Sequence, residues 1–161
     1  MHATMKVLND LLAQLGSRLG LEGLQIDSTG ACSLSFDDRI TISVHCDEES
    51  ECVVFSAEVG TLRDDCELEL SRVMLQANYA WQETGGVGTL SIGPDVAEAG
   101  RTVFLMHQAQ LSGFDWTRFQ QTFDRFLETA EAWTDFILTF DVVEEDESAD
   151  LAVAPSTLMR V

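Results

Sequence analysis

The chain has 161 residues, 45% of them hydrophobic, with 28 acidic against 9 basic side chains and a formal net charge of −19. That length suits one domain with its own core, and the apolar content argues against a wholly disordered chain. No apolar run approaches the ~20 residues of a membrane span, and the charge sets nucleic acid and anionic lipid surfaces aside as partners.

From the N-terminus, Thr4 to Leu19 places Val7, Leu8, Leu11, Leu12, Leu15 and Leu19 at three- and four-residue spacings, one apolar stripe on a helix ended by Gly20 and Gly23. The opening "MHATMKVLNDLLAQLG" lacks the basic start, apolar block and cleavage site of a secretory signal, so a cytoplasmic location is expected. Three strand-like runs follow, Ala31–Phe36, Arg39–His45 and Cys52–Val59. In the second, Ile40, Ile42 and Val44 alternate with Thr41 and Ser43, one face apolar and the other polar. The connectors "FDDR" and "CDEESE" are short and polar, which predicts an antiparallel meander.

Cys32, Cys46, Cys52 and Cys66 form no CxxC pair and are expected as buried, reduced thiols. Cys46 and Cys52 are spaced to face each other across a hairpin with His45 beside them. Two thiols and one histidine fall short of a zinc ligand set, so no metal is expected.

The period then changes. Asp64 and Glu67 have the spacing of a capping box, and Leu68, Leu70, Val73, Met74, Ala77, Ala80 and Trp81 continue a helix to about Glu83. Thr89–Ile92 and Thr102–Leu111, joined by "GPDVAEAG", form a second hairpin. Asp115 to Phe140 is a long helix with Phe119, Phe123, Phe126, Leu127, Ala130, Trp133, Phe136, Ile137 and Phe140 on one side. The acidic block Glu144–Glu147 marks the end of the ordered domain, giving a domain over 1–141 and an acidic, flexible tail over 142–161. The order α-β-β-β-α-β-β-α, with segregated antiparallel strands and three helices, is α+β.

Gly85, Gly86 and Gly88 raise the question of a phosphate-cradling loop. Such a loop follows a strand and opens a helix, whose N-terminal N–H groups and dipole hold the phosphate. Here a helix precedes and a strand follows, and no cation lies between Arg72 and Arg101. The end of a helix presents carbonyls that repel phosphate, so Gly85 is expected as a left-handed helix cap and the others as turn residues. His2, His45 and His107 adjoin no nucleophile in a recognisable elbow, and His107 is expected as a partly buried strand residue. No catalytic, cofactor-binding or metal-binding residue is expected.

What remains is apolar surface that a partner would cover. The leucine-rich first helix leading into "GACSLSFDDRITISV", then "MLQANYAWQETGGVGTLSIGPD", then "FQQTFDRFLETAEAWTDFI", resemble the class I type III secretion chaperones, the Tir-chaperone-like (CesT-like) family, over residues 4 to about 140. The resemblance implies a twisted antiparallel sheet in a small acidic cytoplasmic homodimer, without cofactor or covalent chemistry. Such a dimer binds the N-terminal chaperone-binding segment of a secreted effector and keeps it soluble, partly unfolded and export-competent.

By segment, the resemblance carries the dimer interface to Leu70, Val73, Met74, Ala77, Trp81, Leu90 and Ile92. It carries effector binding to Leu8, Leu11, Leu12, Leu15, Leu34, Phe36, Ile42 and Val44. On that assignment Leu11→Asp or Leu15→Asp abolishes effector binding and leaves a folded dimer. The alternatives are a regulatory chaperone that sequesters a small regulator of secretion genes and, from other classes, a small-ligand-binding protein or enzyme, or an acidic nucleic-acid mimic.

Overall fold

The computed structural model of the chain describes residues 3–94 and 101–140; the expected acidic tail, His2 and most of the last hairpin's connection lie outside the described residues. Along the chain run α1 (Ala3–Leu19), β1 (Ala31–Phe36), β2 (Ile40–Asp47), β3 (Cys52–Leu62), α2 (Glu67–Tyr79), a 3-10 turn (Trp81–Thr84), β4 (Thr89–Ile92), β5 (Arg101–Gln110) and α3 (Trp116–Thr139). This is the expected α+β order. The five strands form one sheet in the order β1-β2-β3-β5-β4, every neighbour antiparallel.

Strand register sorts the side chains onto two faces. Val44 lies opposite Phe55, and Phe55 opposite His107. This inner face meets α1 and α3. Phe55 is fully buried and its ring stands 5.7 Å from Phe119, 6.5 Å from Phe123 and 5.8 Å from Phe126, three residues of the α3 stripe. The α3 helix is started by the Asp115 side chain, which accepts from the Arg118 N–H at 2.8 Å. Arg18 at the end of α1 forks onto Asp124 of α3 at 2.7 and 2.5 Å, a surface link between the two helices. The opposite face runs Ser33, Ser43, Ser56, Met106, Thr89 across all five strands.

The second helix differs from expectation at both ends. Asp64 is exposed and does not cap α2; Cys66 takes the N-cap position, and its thiol does not accept from the helix but donates, as its N–H does, to the Arg63 carbonyl. At the other end α2 stops at Tyr79 and tightens into the 3-10 turn. The Thr84 hydroxyl donates to the Trp81 carbonyl, which also accepts from Gly86 N–H.

Leu11 and Leu15 are buried in the core of the single chain, 4% and 0% exposed. A charge placed there is buried in the protomer, so Leu11→Asp and Leu15→Asp should act on folding as well as on any partner.

Candidate partner-binding surfaces

The glycine cluster is a turn. Gly85 closes the 3-10 turn in the left-handed region (φ 66°), and its N–H bonds the Gln82 carbonyl. A Cβ built there would run into Thr129 Oγ1 of α3, so the missing side chain also brings turn and helix together. Trp133 completes the joint by donating from Nε1 to the Glu83 carbonyl at 3.0 Å. The motif positions α3 against the elements that follow.

Every residue expected to bind the effector, Phe36 excepted, is buried: Leu8, Leu11, Leu12 and Leu15 from α1, and Leu34, Ile42 and Val44 from the sheet, fill the space between them, and Phe36 is half-buried against Phe123. These side chains shape the elements and present no surface in this conformation. The expected dimer residues divide. Leu70, Val73, Met74, Ala77 and Leu90 are core, whereas Trp81 is 63% exposed and Ile92 also reaches solvent.

Beside those two lies a stripe that reading for one apolar face missed. Leu68, Arg72, Leu75 and Tyr79 recur at four-, three- and four-residue spacing on the far side of α2. Tyr79 is 91% and Leu75 69% exposed. The signal was present in the sequence: α2 carries two apolar stripes, 70/73/74/77 and 68/75/79, and a helix with two is built to be packed on both sides.

The two sheet edges are unequal. At β4, Asn78 of α2 bonds both outward groups of Leu90, accepting from its N–H at 2.8 Å and donating to its carbonyl at 2.9 Å. That edge is closed at its centre. At β1, Asp27 holds both outward groups of Ala31: its N–H donates to the Ala31 carbonyl and its Oδ1 accepts from the Ala31 N–H. Antiparallel alternation puts the backbone groups of Ser33 and Ser35 on the same outer edge. Their hydroxyls pair inward, with Ser43 and Thr41 at 2.9 Å each. Among the described residues no strand pairs with that edge, which is a template for a sixth strand.

The remaining titratable groups are structural. Cys46 opposes Val53 and Cys52 opposes Asp47, so the two thiols lie on opposite faces of the hairpin. All four cysteines are free, and burial pushes the Cys32 and Cys46 thiols above their ordinary value. His107 is half-buried against Phe55 at 5.9 Å; desolvation holds its pKa below the usual 6.5, partly offset by a hydrogen bond to the Val87 backbone. Among the described residues no cluster of metal-ligating side chains occurs, and no helix is long and apolar enough to cross a membrane.

With this geometry in place the relatives can be compared. The profile of the Tir chaperone protein (CesT) family matches residues 10–134. The chain belongs to this family. Its fold is similar to that of the ExsC–ExsE complex, at 27% identity and TM-score 0.67, covering 85% of this chain and 97% of the other. The HopA1–SchA chaperone–effector complex matches at 14% identity and TM-score 0.65, over 84% and 98% of the two chains. The Yersinia pestis type III secretion chaperone SycH, solved with a stable fragment of YscM2, matches at 16% identity and TM-score 0.56, over 76% and 96%. No curated protein sequence matches the chain. By family and fold this CesT-family chain is a type III secretion chaperone and not an enzyme.

Proposed function

We propose that the chain acts as a homodimer that binds the N-terminal segment of a secreted effector in extended form and keeps it soluble, partly unfolded and export-competent. The observation that carries this reading is the pairing of an open β1 edge with a separate exposed apolar stripe on α2. One surface accepts an extended chain and the other accepts a second copy. The dimer forms through Leu68, Leu75, Tyr79, Trp81 and Ile92, which supply large apolar side chains outside the protomer core.

The effector segment adds as a strand beside Ser33 and Ser35, where backbone bonds set its register with little demand on its sequence. Of the elements first expected to bind it, α1 and the sheet, this reading uses the sheet, at its β1 edge. Apolar burial drives the association at roughly 25 cal/mol per Å², and ordering the segment offsets about 2–5 kcal/mol or more of it. The partner is held firmly yet remains unfolded.

Sequestration of a small regulatory protein is the second reading. It uses the same surfaces, and the likeness to ExsC held with ExsE, at higher identity than the HopA1–SchA and SycH matches, favours it. The test is co-expression with N-terminal fragments of secreted proteins and, separately, with small regulators of secretion, comparing the chain with its Ser33→Pro variant. Proline removes an outward N–H that the sheet does not use, together with the exposed hydroxyl bond to Ser43, so Ser33→Ala, which loses only that bond, is the control. The reading expects the effector fragment to be soluble with the parent chain and to lose about twofold to tenfold in affinity with Ser33→Pro, the effect of one lost backbone bond. Equal binding by the two chains would contradict strand addition at β1, and binding of the small regulator alone would select the second reading.

A further inference from the structure

Two charged groups along the exposed side of α2 and the turn after it lack a counter-ion within the chain. Arg72 stands in the stripe between Leu68 and Leu75, is exposed, and pairs with no carboxylate among the described residues. Glu83, in the 3-10 turn beyond Tyr79, is half-buried; its Oε2 is sealed from solvent and no donor reaches it. Its Oε1, bonded to nothing among the described residues, is the oxygen left open. The turn holds this carboxylate in place: the Glu83 carbonyl accepts from Trp133 Nε1, while Thr84 Oγ1 and Gly86 N–H both donate to the Trp81 carbonyl. A carboxylate half out of water without a donor is costly. A guanidinium at the open oxygen offsets that cost, because the charge is shared by both oxygens.

Within one copy the two groups do not meet. From Arg72 to Ala80 alone the helix axis runs roughly 12 Å, more than an arginine side chain bridges. A second copy can bring them together. A two-fold axis perpendicular to α2 runs the two helices antiparallel and exchanges their ends. Leu75 and Tyr79 are centred on position 77, and Arg72 and Glu83 between 77 and 78. One axis therefore sets Leu75 against the partner's Tyr79 and Arg72 against the partner's Glu83. The same axis sets Leu68 opposite positions 86 and 87, where the Trp81 ring lies 2.9 Å from the place a Cβ on Gly86 would take. A two-fold axis parallel to α2 would instead set Arg72 on Arg72 and Glu83 on Glu83, so charge selects the antiparallel arrangement.

We propose that Arg72 of each copy pairs with Glu83 of the other, giving two symmetry-related ion pairs on either side of an apolar centre of Leu75 and Tyr79. This rests on the dimer proposed above and adds its direction and register. Apolar burial supplies most of the affinity, and the two pairs supply the specificity of copy for copy. They also account for a lone arginine in an otherwise apolar stripe, which burial without a carboxylate would penalise.

The test uses the full-length variants Arg72→Glu and Glu83→Lys, each alone and the two mixed. The dimer fraction is read by sedimentation equilibrium and by native mass spectrometry, which separates the copies by mass. Alone, each variant sets like charges at both contacts and should dimerise about tenfold to hundredfold more weakly than the parent. In the mixture the introduced carboxylate faces the introduced lysine, and the native Arg72 faces the native Glu83. A heterodimer should then form in preference to either homodimer, within about threefold of parent strength. Circular dichroism checks the fold of Glu83→Lys, since that position is half-buried. Should it unfold, Arg72→Gln, Glu83→Gln and their combination decide: a double variant no weaker than either single supports the pair, and additive losses overturn it. Single variants that dimerise like the parent, or a mixture with no preference for the heterodimer, would overturn the pair and leave the dimer standing. A parent chain that is monomeric at every concentration would overturn both.

Discussion

Asn78 is the side chain on which the asymmetry of the sheet depends. One amide satisfies both outward groups of Leu90, so Asn78→Ala leaves a buried N–H and carbonyl unpartnered at a cost of about 1–3 kcal/mol. The expected result is a lower urea midpoint together with faster hydrogen exchange at the Leu90 amide. Asn78→Asp keeps the acceptor but not the donor and should fall between the two. At Gly85 the penalties add: left-handed backbone and a clash with Thr129 predict a loss of about 2–4 kcal/mol for Gly85→Ala. Gly113 has φ 75° with open space around it, so Gly113→Ala should cost only the backbone part, about 1–2 kcal/mol. Equal losses at the two positions in denaturant titrations would contradict the packing account of Gly85.

His107 gives a pH dependence whose sign follows from its burial. The folded chain holds its pKa below the usual 6.5, so the unfolded chain binds the proton more readily. Its contribution is complete above about pH 7 and is lost as pH falls through 6.5 toward the depressed folded value. His107→Gln should flatten the slope of stability against pH in that window, above the carboxylate range. A slope unchanged by the substitution would show that His107 does not carry it.

Among the elements, strand periodicity was the most informative signal. The alternation of Ile40, Ile42 and Val44 placed β2 correctly, because one face is buried and register is then unambiguous. The α3 stripe was equally legible, since Phe119, Phe123 and Phe126 meet one partner, Phe55. Chemistry also separated the glycine turn from a phosphate loop without coordinates, because only the order of helix and strand mattered.

Periodicity could not tell which of two apolar faces is core. In α1 it marked a stripe that the chain buries itself, and in α2 it ran exposed Leu68 together with the buried stripe while Leu75 and Tyr79 went unmarked. A spacing shows that a face is apolar, not what covers it. Leu15→Asp should therefore unfold the chain, at more than about 5 kcal/mol, comparable with the whole stability of a domain. Circular dichroism of the variant tests this, and a native spectrum would contradict the burial of Leu15.

At the scale of the whole molecule, a net charge of −19 is compatible with the dimer because none of the proposed contact residues Leu68, Leu75, Tyr79, Trp81 and Ile92 is acidic. Arg72 is the one charge in the Leu68–Tyr79 stripe. Leu75→Asp or Tyr79→Asp should yield a folded monomer of 17.8 kDa, since both side chains are exposed within the protomer. The most direct measurement is native mass spectrometry of the chain isolated from its own cells, followed by limited proteolysis of whatever is bound. The account predicts two copies of this chain with one partner polypeptide, protected only over an N-terminal segment. A bare 17.8 kDa chain, or a partner bound as a folded globule, would contradict it.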